Sequence, residues 1–171
     1  PGVTRDRREG AASLGDLEFT VVDTAGLDQP LKKAAMGSAR GAEAEARAME
    51  DVMADTGVLG AMLEQTPAAV AAADLIALVV DVRDGISPWD EYYARWLRKE
   101  MAKAGNDSPH LLLVANKADG VVADELMLTD ELENGWSAGA ARRLGFGDPI
   151  YLSAEHGDGL ATLYTALAPI L

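Results

Sequence analysis

Short runs of apolar residues that end at polar residues are the first pattern along the chain. Four such runs predict β-strands, at Leu17–Asp23, Leu75–Asp81, His110–Asn116 and residues 149–153. Three of these runs are unbroken, which is typical of parallel strands buried on both faces. The turn at Leu14-Gly15-Asp16 predicts a further, antiparallel strand at about residues 8–13, paired with the first of the four.

Amphipathic stretches between these runs predict helices. Residues 88–103 place Trp89, Trp96 and Leu97 mostly on one face, with Ser87 available as N-cap. A short helix is predicted at residues 159–171, and one or two helices within residues 124–144. The alternation of strands and helices predicts an α/β sandwich around a mostly parallel sheet.

The segment from about residue 28 to residue 66 departs from this alternation. It is rich in Ala, Glu and Met, and Met49, Met53 and Met62 fall near one helical face, although Gly57 and Gly60 weaken a helix. We expect a packing helix whose methionines fill gaps in a core, and the alternative is a stripe that binds a partner.

Composition narrows the class of protein. The 171 residues suffice for one domain with a sizeable core. The net charge of −13 repels phosphate backbones, so we expect no broad nucleic-acid binding, although a small nucleotide site stays compatible with it. The chain has no cysteine, which excludes disulfides and thiolate chemistry. Its longest apolar run is broken by Asp74, so we expect no membrane partner.

Polar clusters follow three of the predicted strands. They are Asp23-Thr24-Ala25-Gly26, Asn116-Lys117-Ala118-Asp119 and Ser153-Ala154-Glu155. Ligands of open α/β sheets bind at the carboxyl ends of the strands, so these clusters are candidate site residues. Asp81 and Asp84 follow the remaining strand, and we expect them to end it and shape a turn.

The second cluster fits the recognition of guanine. A carboxylate such as Asp119 can accept two hydrogen bonds from adjacent N–H donors, and guanine presents such a pair while adenine does not. The stem of Lys117 can lie along a base, and Asn116 can tie neighbouring loops together. The competing interpretation is an ordinary turn after a strand.

The first cluster fits a metal and phosphate site. Asp23 at a strand end can hold Mg²⁺ through water, and Gly26 lets a backbone N–H approach a terminal phosphate. The same pattern also occurs in common turns. Ser153-Ala154-Glu155 carries little information alone.

The order and setting of the clusters resemble the third, fourth and fifth motifs of Ras-like GTPases. The stretches PGVTRDR, DGISPWDEYYARWLRK, ANKADG and LGFGDPIYLSAEHGDGL are similar to the first GTPase domain of the Der (EngA) ribosome-assembly GTPases. The resemblance covers most of the chain outside residues 28–66. It implies a three-layer α/β/α P-loop GTPase domain that runs from switch I to the C-terminal helix. In it the first strand and the P-loop helix are lacking, and residues 28–66 form a helical insertion.

The resemblance also implies roles for individual residues. Thr4 and Asp23 would serve Mg²⁺, Thr4 directly and Asp23 through water. Gly26 would sense the γ-phosphate, and with Thr4 it would belong to the catalytic set. The residues expected to bind GTP or GDP are Asp23, Thr24, Gly26, Asn116, Lys117, Asp119, Ser153, Ala154 and Glu155, with the Ala154 N–H meeting the guanine oxygen and Ser153 bracing its loop.

The sequence departs from the wider GTPase pattern at two points that concern hydrolysis and phosphate binding. Leu27 stands where Ras-like enzymes often carry Gln, and in such proteins hydrolysis often has K⁺ assistance. No G-x-x-x-x-G-K-[ST] sequence occurs in the chain. We therefore expect Pro1 to lie within a longer protein.

Three functions stay open at this point. The first is a domain that binds and hydrolyses GTP in assembly of the large ribosomal subunit, which it would contact through regions outside this chain. The second is a non-hydrolysing fragment or interaction module, and the third is a GTPase of the Era or TrmE type. We expect a location either in the cytoplasm or in an organelle, which would be the chloroplast stroma or the mitochondrion.

Overall fold

The computed structural model describes residues 8–23, 66–104, 109–119 and 136–171, and every structural statement below refers to these ranges. They contain nine elements: strands β1 (Arg8–Leu14), β2 (Leu17–Asp23), β3 (Leu75–Asp81), β4 (His110–Asn116) and β5 (Ile150–Tyr151), and helices α1 (Thr66–Ala72), α2 (Pro88–Ala104), α3 (Ala138–Arg143) and α4 (Leu160–Leu167). The chain divides into two compact units. One includes residues 8–12, 20–23 and 66–72, and the other includes all remaining described residues.

Strands β1 and β2 form a two-stranded sheet. The two-residue turn at Gly15 and Asp16 reverses the chain, and Gly15 has a φ of 64°, a conformation that glycine adopts at little cost. Asp16 accepts a hydrogen bond of 2.7 Å from the Tyr164 hydroxyl, which joins the turn to α4 within the second unit. The predicted hairpin is confirmed.

A three-stranded parallel sheet in the order β3-β4-β5 organises the second unit. Strands β3 and β4 pair along their full length, from Leu75 opposite His110 to Asp81 opposite Asn116. The ladder continues one residue further, because the Val82 N–H donates to the Asn116 carbonyl at 3.0 Å. This register brings the loops that follow the two strands side by side.

The core of this unit lies where β4 meets the neighbouring elements. Leu113 and Ala115 of β4 are fully buried, and so is Trp136, whose ring packs edge-on against Tyr151 with centroids 6.1 Å apart. Val79 of β3 is an exception, since 57% of it is exposed. Apolar burial of β4 therefore anchors the strand whose end carries the second polar cluster.

Helix α2 begins at a reciprocal cap. The Ser87 hydroxyl accepts from the Asp90 N–H at 3.2 Å, while the Asp90 carboxylate accepts from the Ser87 N–H at 2.8 Å. The predicted N-cap is confirmed, and Ala94 and Leu97 are buried positions of this helix. No helix in the described ranges combines the length and the apolar character that crossing a bilayer requires.

Most element bounds agree with the prediction, and the α/β class is confirmed. β5 covers two residues instead of five, because Ser153 leaves the parallel ladder and forms an antiparallel bridge with Asp158. α4 ends at Leu167, ahead of Pro169, which has no N–H to continue a helix.

One helix was not predicted, and two predicted helical regions lie partly or almost entirely outside the described residues. α1 was not predicted as a helix of its own, although Val70 on it is buried. α3 lies in the predicted region of residues 124–144, and the rest of that region up to residue 135 is outside the described residues. The helical insertion predicted at 28–66 lies almost entirely outside them as well.

Candidate functional site

Three loops of the second unit converge at the carboxyl ends of its parallel strands. They are residues 81–84 after β3, 116–119 after β4 and 152–158 after β5. Backbone hydrogen bonds join them, because Ala118 donates to the Leu152 carbonyl and Leu152 donates to the Ala115 carbonyl, both at 3.0 Å. The sheet thus supplies a rigid base for side chains from separate parts of the sequence.

Asn116 links two of the loops through its side chain. Its Oδ1 accepts a hydrogen bond of 3.0 Å from the Ala154 N–H. Asn116 is half-buried at the end of β4, so its amide is held close to the backbone of the third loop. The structure therefore agrees with the linking role predicted for this side chain.

Lys117 has a backbone conformation that is uncommon for a residue other than glycine. Its φ is 62°, in the left-handed region, and strained conformations of this kind concentrate at functional sites. The turn directs its ammonium towards β3, where it forms an ion pair with Asp81. The hydrogen bond to Asp81 and the charge of that carboxylate raise the pKa of Lys117.

Asp81 is held by two neighbours. Its Oδ1 accepts a hydrogen bond of 2.9 Å from the Arg83 N–H, and its Oδ2 pairs with Lys117. Burial would raise the pKa of Asp81, but the hydrogen bonds from Lys117 and the Arg83 N–H outweigh it, so the pKa lies below its ordinary value. The predicted turn-forming role of Asp81 is confirmed, and the ion pair is an addition to it.

Asp119 lies at the centre of the site and has two directly bonded partners. Its Oδ2 forms an ion pair with the Arg83 guanidinium, and its Oδ1 accepts a hydrogen bond of 3.3 Å from the Ser153 hydroxyl. The His156 Nε2 is 4.0 Å from the same Oδ2. Only 21% of the Asp119 side chain is exposed.

These contacts keep Asp119 ionised. Burial opposes ionisation, but the hydrogen bond from its own backbone N–H and the charge of Arg83 lower its pKa below the ordinary value. An ionised carboxylate only accepts hydrogen bonds. Asp119 is therefore suited to a ligand that presents donors.

Ser153 braces the third loop from inside. It is the one buried polar residue of the described core, with 1% of it exposed. Its carbonyl accepts from Gly157 at 2.8 Å, its N–H donates to the Asp158 carbonyl at 3.0 Å, and its hydroxyl accepts from the His156 N–H at 3.4 Å. These bonds close a compact loop around Ala154 and Glu155, which are both exposed.

The structure brings together one half of the predicted site. Asn116, Lys117, Asp119, Ser153 and Ala154 lie in connected loops, with Glu155 exposed on the same loop as Ala154. Of the residues predicted for the phosphate and metal half, Asp23 is the one that falls in the described ranges.

Asp23 is exposed at the end of β2, in the other unit. Thr4, Thr24 and Gly26 lie outside the described residues. No three His, Asp or Glu side chains in the described ranges are grouped as a metal site, and the Mg²⁺ assignments to Thr4 and Asp23 stay predictions.

Two site residues were absent from the sequence prediction of the site, Asp81 as an ion-pair partner and Arg83. The order of charges in the sequence could have revealed both residues. The loop after β3 has an acid followed two residues later by a base, Asp81 and Arg83. The loop after β4 has the reverse order, Lys117 and Asp119. In parallel strands of equal register this pattern predicts two ion pairs across the loops, and the structure contains both.

Comparison with known proteins assigns the chain to a family. A model of the family described as "50S ribosome-binding GTPase" matches residues 1–117, about two thirds of the chain. The chain belongs to this family. The match ends at Lys117, so the polar cluster after β4 begins inside the matched region and Asp119 lies just beyond it.

Curated relatives of this family member carry the name GTPase Der. The protein from Roseobacter denitrificans is 44% identical over 170 residues, which are 99% of this chain and 26% of that protein. The protein from Nitrobacter winogradskyi is 40% identical over 173 residues, covering 100% of this chain and 29% of that protein. The chain therefore spans about a quarter of the length of these relatives.

A solved structure has the same fold. It is a tyrosine-to-alanine variant of Aquifex aeolicus Era bound to GDP.AlF4−, with a TM-score of 0.55 and 20% sequence identity over 99% of this chain and 46% of that one. The chain therefore has the P-loop GTPase fold, a mixed α/β architecture with a parallel sheet, as the resemblance implied.

Proposed function

We propose that the loops after β4 and β5 read the guanine base of GTP or GDP. The observation that carries this proposal is the ionised, oriented carboxylate of Asp119 beside the Ser153–Ala154 loop. The ring N1–H and the exocyclic amine of guanine would donate to the two carboxylate oxygens. Adenine offers no such pair of donors and would leave Asp119 without its partners.

The remaining residues of the cluster would position the base. The stem of Lys117 would lie along the ring plane, while Asp81 holds its ammonium. The Ala154 N–H, which donates to Asn116, would be shared with the carbonyl oxygen of guanine. Ser153 would act on Asp119 by holding one carboxylate oxygen in place.

The phosphate half of the site is proposed from the sequence. Asp23 and Thr4 offer the oxygen ligands that Mg²⁺ prefers, and Gly26 would approach the γ-phosphate through its N–H. When bound, Mg²⁺ would neutralise charge that develops on the phosphates. Leu27 cannot orient the attacking water molecule through hydrogen bonds. Another group would orient this water, with K⁺ as an assisting ion.

For the whole protein we propose hydrolysis of GTP to GDP and phosphate in large-subunit ribosome assembly. The family description and the Der names of the relatives support this role. Contact with the ribosome would use regions outside this chain, and the location would be cytoplasmic or organellar. The Era or TrmE type has less support, because the identity to Era is 20% and the identity to Der proteins reaches 44%.

A change of base preference tests the assignment of Asp119. We expect Asp119→Asn, made in the full-length gene product that carries this sequence, to weaken GDP binding by about 100-fold, since a charge-assisted pair of hydrogen bonds is lost. The amide can donate to the additional carbonyl of xanthine, so XDP binding should strengthen. Competition against a fluorescent GDP analogue measures both affinities.

The matched control is Asp84→Asn, which removes the same charge from an exposed position in the neighbouring loop. It should retain the preference for GDP. If Asp119→Asn also retains that preference, the base-reading assignment is wrong.

A second candidate function is nucleotide binding without hydrolysis. The observation behind it is Leu27, which cannot orient a water molecule where Ras-like enzymes often carry Gln. Phosphate release by the full-length gene product in the presence of GTP and Mg²⁺ separates the two functions. Turnover supports the enzyme, and saturable GDP binding without turnover supports the module.

A further inference from the structure

We infer that Arg83 competes with guanine for the Asp119 carboxylate and so sets the affinity and the entry rate of the base. This inference rests on the proposed function of Asp119. Its basis is that the Arg83 guanidinium forms an ion pair with Oδ2 of the residue that would read the base.

The guanidinium and guanine have the same donor chemistry. Both are planar groups that offer adjacent N–H donors, and both suit a carboxylate acceptor. Asp119 has two oxygens, of which Oδ1 already accepts from Ser153 and Oδ2 bonds to Arg83. Guanine would also donate to this Oδ2, so the base and the charged guanidinium draw on the same acceptor atom and each weakens the bond of the other.

The fold holds Arg83 where it can compete. β3 and β4 pair in register up to Asp81 and Asn116, which places the two following loops side by side. The Arg83 N–H bonds to Asp81 Oδ1 at 2.9 Å, so the turn holds the backbone from which the side chain extends. The same strand pairing that supports the site therefore also places Arg83 next to Asp119.

The pair can open without disturbing the core. The Arg83 side chain is 60% exposed, so it can turn into water when the base arrives. The second ion pair of the site, between Asp81 and Lys117, uses other atoms and can persist during this exchange. Arg83 can therefore leave Asp119 by a rotation of its exposed side chain.

The size of the effect follows from the strength of an exposed ion pair. A competitor that occupies Asp119 for part of the time lowers the apparent affinity by that fraction. Exposed Arg–carboxylate pairs are weak, so removal of Arg83 should tighten guanine binding by about 2–5-fold. Salt weakens such a pair, so the difference should shrink as ionic strength rises.

The test compares Arg83→Gln with wild type in the full-length gene product. GDP is titrated by competition against a fluorescent GDP analogue, and stopped flow gives the association rate. Arg83→Gln should bind GDP about 2–5-fold more tightly and associate faster at about 50 mM NaCl, with a ratio near 1 at about 500 mM NaCl. Arg83→Lys, which keeps the charge but loses the planar donor pair, should fall between the two.

The matched control is Arg95→Gln, which removes the same charge from an exposed position on α2. It should leave the affinity unchanged. All titrations are made at one pH and one temperature.

The outcomes separate this inference from the proposal beneath it. GDP affinity that is unchanged or weaker in Arg83→Gln, or an equal gain in Arg95→Gln, would overturn the competition while leaving guanine binding intact. A wild-type protein that does not bind GDP would overturn the proposed function, and the inference with it.

Discussion

At residue scale, the side chain of Asn116 links the end of β4 to the loop that follows β5. β5 ends at Tyr151, and the backbone of Leu152 still bonds to Ala115 of β4 and to Ala118. The hydrogen bond from Ala154 to the Asn116 Oδ1 provides the side-chain connection at 3.0 Å. The amide oxygen thus adds a side-chain link to a loop that the backbone bonds of Leu152 and Ser153 also hold.

This contact predicts the exchange behaviour of one amide. We expect Asn116→Ala to speed hydrogen–deuterium exchange of the Ala154 N–H by about 5–10-fold, because one hydrogen bond is lost. Asn116→Asp keeps an acceptor oxygen of the same size and should retain most of the protection. NMR exchange rates test this, and equal protection in Asn116→Ala and wild type would contradict the contact.

At the scale of elements, the junction between the third loop and α4 depends on Gly159. This residue is the N-cap of α4 and has a φ of 79°. A Cβ built on it would lie 2.2 Å from the Tyr151 carbonyl oxygen and 2.9 Å from the Leu152 Cα. The helix therefore begins so close to β5 that the backbone leaves no room for a side chain.

Two glycine substitutions separate conformational strain from this close approach. Gly157 has a similar φ of 78°, but its added Cβ would meet only the Leu160 Cδ1, at 3.8 Å. We expect Gly157→Ala to cost about 1–2 kcal/mol of folding free energy, from the left-handed conformation alone. Gly159→Ala should cost about 3 kcal/mol or more, since overlap with backbone atoms is added.

Urea unfolding followed by circular dichroism measures both free energies. Because the two variants carry the same chemical change two residues apart, their difference reports the contact with β5. Equal destabilisation of the two variants would show that the close approach of the helix to β5 contributes nothing.

At the scale of the whole molecule, charge limits the partners of the chain. The 28 acidic residues exceed the 15 lysines and arginines, and the net charge is −13. The described site nevertheless contains Arg83, Lys117 and His156 around its carboxylates. The molecule thus combines a repulsive overall field with a local arrangement of donors and acceptors suited to one small ligand.

This charge predicts the absence of general RNA binding by the chain. We expect no saturable binding of a single-stranded RNA of about 30 nucleotides in fluorescence polarisation at about 100 mM salt, because few phosphates would be neutralised. A Kd of about 10 μM or tighter with a steep dependence on salt would contradict the expectation.

The strands show how far local pattern carries a prediction. The bounds of β2, β3 and β4 were predicted to the residue. β3 and β4 are apolar runs that end at a polar residue, and β2 lies between a turn signal and Asp23. β5 was predicted too long, because Ser153 is held by the bridge to Asp158 and not by the parallel ladder. A short strand with polar neighbours carries too little periodicity to reveal where its pairing ends.

The sequence by itself determined the alternation of strands and helices, the cap at Ser87 and the position of the polar cluster Asn116-Lys117-Ala118-Asp119 after β4. All of these depend on residues close together in the chain, so local physical chemistry is enough to predict them. Only the tertiary structure decided that Arg83 bonds to Asp119 and that Lys117 bonds to Asp81. Each pair joins residues 36 positions apart, and the register of β3 against β4 is what brings them together.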